Sequence, residues 1–177
     1  ATQPTGPGGK TVPLESLFRS TDLVTWDYLH PFVKDDRFTR VGDDGACPYF
    51  WPIGDRHILL FFSHTSGGQY LLGDYDTGAQ AFHATAHGKF NHGPVGPGGV
   101  HAPSATPDGQ GGVVAIFNVN PAKSTRGWNQ VMSLPMRLTL RGKEDLDIEP
   151  AEAIASLRHA HQHVPTRRLP PNQETSL

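Results

Sequence analysis

The chain carries a single cysteine, Cys47, so no internal disulfide can form and the redox compartment stays open. No apolar run approaches the roughly 18 residues that a membrane-crossing helix needs, and the first residues lack a basic-then-apolar leader pattern. A membrane partner is therefore not expected. Charge of one sign is scarce as well. A net charge of -2 and a pI near 6.6 leave little to grip a polyanion, which argues against nucleic acid. Hydrophobic residues make up only 36%, and the mean hydropathy is -0.42, so the expected core is small or is completed by burial against another chain.

What the chain has instead is punctuation. Twenty glycines and 16 prolines in 177 residues favour many turns over long helices, and the length suits one domain. Short apolar runs at 49–53, 57–62, 70–72, 113–119 and 130–134 alternate with turn residues, the rhythm of a sheet protein. Gly54-Asp55 is placed for a tight hairpin turn between the first two runs, and Pro107-Asp108-Gly109 marks another. Asp74 and Asp76, with Gly78 close by, suit a turn at a strand end. Only residues 149–159 have helical spacing, with Ala151, Ile154, Ala155 and Arg158 on one face and Pro150 near the start. The expected organisation is a flexible N-terminal arm over 1–13, a β domain over 14–158 and a polar C-terminal tail over 159–177.

Several segments carry a more specific signal. They are Leu17-Phe18-Arg19-Ser20-Thr21-Asp22-Leu23-Val24-Thr25-Trp26, then Gly42-Asp43-Asp44-Gly45-Ala46-Cys47-Pro48-Tyr49-Phe50, then Gln69-Tyr70-Leu71-Leu72-Gly73-Asp74-Tyr75-Asp76. Val100-His101-Ala102-Pro103-Ser104 follows, and then the stretch from Gly127-Trp128 through Ser133-Leu134-Pro135-Met136-Arg137-Leu138-Thr139-Leu140. In this order they resemble glycoside hydrolase family 32, the invertases, inulinases and levanases. The family's patterns there are R-S-x-D-L-x-x-W, E-C-P-D-F, Y-x-x-G-x-Y-D, F-Y-A-P-Q and G-W-x-x-x-x-S-L-P-R-x-L-T-L. The resemblance spans about residues 14–158. It implies an all-β fold, a partial or reduced five-bladed β-propeller of short antiparallel sheets. The family's Asn-Asp-Pro-Asn motif with its nucleophile and its Arg-Asp-Pro motif do not occur in this sequence. The chain is thus read as a fragment or a reduced relative.

The resemblance implies β-fructofuranosidase-type hydrolysis, with a fructoside or related furanoside as carbohydrate partner and no cofactor. It also implies that the general acid is replaced, since Ala46 stands where the family has its glutamate. Retaining hydrolysis needs two carboxyl groups about 5 to 5.5 Å apart, and a methyl group can neither attack nor donate a proton. Three readings stay open: a substitution made to trap a substrate, takeover by Asp43 or Asp44, or loss of the chemistry with the cleft retained. The last is a non-catalytic carbohydrate-binding or scaffold module. Asp43 and Asp44 are also ordinary turn material before a strand.

Other family positions differ too, with Tyr49 after Cys47-Pro48, His101 for a tyrosine and Ser104 for a glutamine. The substrate-binding candidates are therefore Ala46, Cys47, Tyr49, Trp51, His101 and Ser104, the two aromatics as stacking platforms and His101 as a hydrogen-bonding or titrating group. His83, His87, His92 and His101 fit no compact ligand spacing, so no metal is expected. Ser63, Ser104 and Ser133 lack a nucleophile elbow, and Gly96-Pro97-Gly98-Gly99 is read as a connection. Part of a propeller would leave two blade faces open, so a homo-oligomer or association with a complementary chain is expected. The alternative is that the two chain ends fold back over those faces.

Overall fold

The computed structural model describes residues 15–34, 36–40, 42–90, 99–120 and 125–171. The N-terminal arm, His92 and Gly96-Pro97-Gly98 of the glycine-rich connection lie outside them. β1 (Ser16–Arg19) and β2 (Asp27–Pro31) form a two-stranded antiparallel hairpin. Its turn is built by Asp22, which accepts the backbone N–H groups of Val24 and Thr25 and the Thr25 hydroxyl at 2.7 to 2.9 Å. β3 (Val33–Lys34) then leads into the first large sheet.

That sheet is set by the turn at Gly54-Asp55. Gly54 has φ +57, a left-handed conformation open to glycine, and it closes β4 (Ala46–Ile53) onto β5 (Arg56–Ser63). β6 (Gly67–Asp76) and β7 (Ala81–Lys89) extend the antiparallel meander, and β3 adds to the far edge of β7 in parallel. Asp76 makes the β6–β7 turn as its sequence suggested, accepting the N–H groups of Gly78 and Ala79 at 2.8 and 2.9 Å.

The second sheet repeats the plan. β8 (Gly99–Pro107) pairs with β9 (Val113–Asn120). β10 (Val131–Met132) and β11 (Met136–Arg141) both pair with the other side of β9, and β12 (Asp145–Pro150) closes on β11. The β8–β9 turn hangs on Asp108, which accepts from the N–H groups of Gln110 and Gly112 and from Arg137 Nε at 2.7 Å.

The main core lies between the two sheets. Ile58 and Leu60 of β5 and Tyr70 and Leu72 of β6 meet Val113, Ala115 and Phe117 of β9, with Leu138 and Leu146 behind them. The odd-numbered partners on β5 and β6, Leu59, Phe61 and Leu71, pack on the opposite face with Val33, Phe82, Phe32 and Phe38. β5 is therefore apolar on both faces, which is why it reads as a continuous run rather than an alternation. Each such side chain withdrawn from water contributes about 1.5–3 kcal/mol.

Polar ties cross the same interface. Buried Arg56 donates from Nη1 to the Lys143 carbonyl at 3.0 Å, steadied from its own sheet by an Nη2 bond to Thr85, and Gly54 N–H donates to the Gly111 carbonyl at 2.7 Å. Two consecutive four-strand-wide meanders whose first strands, β4 and β8, lie side by side are arranged as blades about an axis. The fold is all-β, a partial propeller.

Three expectations are corrected. Residues 149–159 are helical only in part. Glu149 and Pro150 are drawn into the β11–β12 ladder opposite Arg137 and Met136, leaving only a 3-10 helix, Glu152–Leu157, with no buried side chain and no side-chain cap. The apolar run at 130–134 shortens to two strand residues: Ser133 still donates its N–H to the Phe117 carbonyl, but its hydroxyl accepts the Phe117 N–H and donates to the Leu134 carbonyl. The outer face of the second sheet is not an open apolar surface, since it carries Arg137, Thr139, Asp147 and Glu149 with the Arg137–Asp108 pair. Exposed apolar side chains gather elsewhere: Phe18, Trp26 and Tyr28 on the β1–β2 hairpin, and Trp128, Val131 and Met132 near β10. Residues 159–171 of the tail are exposed and without regular structure.

Candidate functional site

The innermost strands of the two blades open with the same device. Cys47 has φ +54 and Ala102 has φ +47, and each is followed by a proline. At each, the ladder shifts by one residue, between Ala46 and Tyr49 on β4 and between His101 and Ser104 on β8. A left-handed non-glycine residue costs roughly 1–2 kcal/mol. The proline has no N–H, so the bulge strands no donor there. Ala46 and His101 are thus equivalent positions in successive blades. They also meet: Ala46 pairs with Phe62 at the end of β5, and the His101 ring centroid is 4.8 Å from that of Phe62.

The turn beyond Phe62 brings His64 to the same place. Asp44 holds it at two points, accepting the His64 backbone N–H at 2.9 Å on one oxygen and standing 2.5 Å from Nδ1 on the other. The His64 ring meets Phe62 edge-on at 5.2 Å. On the other side of Phe62, burial and then the neighbouring His64 keep His101 below the ordinary imidazole range, and its Nε2 is sealed from solvent without a partner. The arrangement is an exposed, clamped imidazole and a neutral, half-buried one, across an aromatic ring from each other.

Two carboxyl groups stand behind this row. Asp43, read from sequence as turn material, does close a turn onto Arg40 and is buried. Its carboxylate accepts the Arg40 N–H at 2.7 Å and the hydroxyls of Ser66 and Thr65. Burial pushes it up, but the hydrogen bonds from Ser66, Ser63, Arg40 and Thr65 outweigh that and hold it below the ordinary carboxylate range. Its oxygens are occupied in fastening the 63–66 turn to the start of β4.

Glu15 lies against Gly45, whose φ is +55 and where any Cβ would strike the Glu15 carboxyl. Burial first, then the charge of Asp44, push Glu15 up to about 7, and its Oε1 is sealed without a partner. It lines a cavity of about 20 Å³ with Val33, Asp36, Thr39, Asp43 and Leu59. That is room for about one water.

Of the residues singled out from sequence, Asp44, Ala46 and His101 come together. Cys47 is exposed on the bulge and Ser104 is exposed just past its counterpart. Tyr49 and Trp51 turn toward the core between the sheets, and the Trp51 indole donates to the Ala105 carbonyl at 2.9 Å. Trp51 is thus a strut between blades rather than a free stacking platform. His83 is exposed on β7, while His87 is held by the Gln69 amide oxygen at 2.7 Å. Sequence reasoning missed His64 and Glu15.

No protein-family model matches the chain, and no curated protein sequence matches it. Among solved structures, a glycoside hydrolase family 32 protein from Bifidobacterium adolescentis superposes with a TM-score of 0.65 over 81% of this chain, at 18% identity. This chain spans 25% of the length of that one. The likeness is one of fold.

Proposed function

We propose that the chain takes a carbohydrate, a fructoside or related furanoside, at the inner ends of β4 and β8, and that it is a glycoside-hydrolase-type site with the usual acid carboxyl removed. The observation that carries this reading is the pair of matched bulges that turn Ala46 and His101 onto Phe62. It is supported by the fold shared with a glycoside hydrolase and by the sequence segments around Ala46 and His101. The hydrolysis expected of such a site is β-fructofuranosidase-type and slow. Restoring a carboxyl at residue 46 supplies the proton donor that the mechanism asks for.

A purely binding or scaffolding module is the second reading, favoured by the Ala46 methyl group. The exposed Phe18, Trp26 and Tyr28 of the hairpin support association with a second copy or a complementary chain in either case.

The test is calorimetric titration with inulin, levan and arabinan oligosaccharides, followed by sugar release from wild type and Ala46→Glu. The expected result is saturable binding of a fructan by both proteins and release raised about 100-fold or more by the variant. Absence of binding to any of these sugars overturns the carbohydrate reading.

A further inference from the structure

We propose that Asp44 and His64 form the proton-transfer couple of this site, acting on the glycosidic oxygen of the bound sugar where Ala46 offers no acid; this rests on the carbohydrate reading above. The couple is defined by geometry. Asp44 uses both carboxylate oxygens on one residue, gripping the His64 backbone N–H and the ring Nδ1, so the ring cannot turn and Nδ1 carries a proton. Proton exchange is thereby left to Nε2, to which no described residue hydrogen-bonds. The side chain is 67% exposed, open to a ligand. Asp44 lies two residues before Ala46, and His64 two residues after Phe62, the ladder partner of Ala46.

The neighbouring groups leave this contact to the pair. His101, facing it across Phe62, is held below the ordinary imidazole range by burial first and then by His64. Asp43 is turned inward and spent on Arg40, Thr65 and Ser66, which leaves Asp44 as the carboxylate in contact with the ring. Glu15 lies behind Gly45, with Asp44 near it.

The step balances without another protein group. The imidazolium Nε2–H passes its proton to the glycosidic oxygen as the bond from that oxygen to the anomeric carbon breaks, and the bonding pair stays on the oxygen. A water then adds to the anomeric carbon from the same side and gives a proton to the Nε2 lone pair. The imidazolium is restored, and one glycoside and one water have become two alcohols.

The discriminating experiment compares leaving groups. Inulin departs as an alkoxide and needs a proton, whereas a nitrophenyl β-fructofuranoside releases a phenolate that does not. His64→Gln is expected to release sugar from inulin about 100- to 10,000-fold more slowly than wild type, and from the nitrophenyl substrate within about 10-fold of it. Inulin cleavage by His64→Gln at the wild-type rate overturns the proposal, as do equal losses on both substrates. Wild type that binds inulin in the calorimeter but releases no sugar from either substrate removes the proton-transfer couple and leaves the carbohydrate reading standing. Absence of binding removes both.

Discussion

Replacing Glu15 by glutamine changes one atom at a place where a buried acid meets a backbone with no side chain, and the consequence is that one group's share of the pH dependence of stability is removed. Glu15 is raised from an ordinary 4.5 to about 7, mainly because its carboxyl is withdrawn from water against Gly45 and partly because Asp44 is near. The folded protein therefore holds this proton more tightly than the unfolded chain does. Its stabilising contribution is complete below about pH 4.5 and is lost as pH rises through 7. At 1.36 kcal/mol per unit, the loss is roughly 3 kcal/mol by pH 8. Glu15→Gln cannot ionise. Urea titrations followed by tryptophan fluorescence at pH 5, 6, 7 and 8 are expected to show wild type and variant within about 1 kcal/mol at pH 5 and the variant more stable by up to about 3 kcal/mol at pH 8. In a thermal scan that is about 6–12 °C for a chain of this size. His57, His87 and His101 are depressed by burial and work in the opposite sense, adding stability as pH rises toward the ordinary imidazole range. They are common to both proteins, so the difference between the two curves isolates Glu15. A variant whose advantage is the same at pH 5 and pH 8 refutes the reasoning.

Three further substitutions test the frame around the site. Asp43→Ala leaves the Arg40 N–H and the Ser66 and Thr65 hydroxyls without their acceptor, and is expected to cost about 3 kcal/mol in urea denaturation. A cost under about 0.5 kcal/mol would place that carboxylate in water instead. Trp51→Phe keeps the ring in the core but removes the donor to Ala105, so it should lower stability by about 1 kcal/mol while the far-ultraviolet spectrum is unchanged. Cys47→Gly relieves a left-handed residue and is expected to stabilise by about 1 kcal/mol; destabilisation of that size would mean the bulge is not strained.

The strands were legible because of their surroundings. The 57–62 run lies between two apolar layers, and its composition shows that without reference to the fold. The same local reading ran too long at 149–159, where Glu149 and Pro150 pair in the β11–β12 ladder and only Glu152–Leu157 is helical, as a 3-10 helix. Glu15 was hidden for a related reason. Nothing in its neighbours marks it, and its burial arises only when residues beside the β1–β2 hairpin fold against Gly45.

His64 shows how close a sequence can come to a site and still miss it. The hairpin turn at Gly54-Asp55 was readable, and it sets the register of β4 against β5 from Ile53–Arg56 back to Tyr49–Leu60. Carried straight on, that register places His64 opposite Gly45 rather than Asp44. The bulge at Cys47-Pro48 slips the ladder by one residue, so that Ala46 meets Phe62 and His64 falls opposite Asp44. One left-handed residue therefore creates the Asp44–His64 couple. The proline that follows both Cys47 and Ala102 was the available signal, since a proline inside an apparent inner strand is tolerated chiefly at bulges. That the strain is carried twice, by residues other than glycine, points to backbone kept in place to aim side chains. At Ala46 that backbone presents a methyl group, and at His101 an imidazole, to the same Phe62 ring.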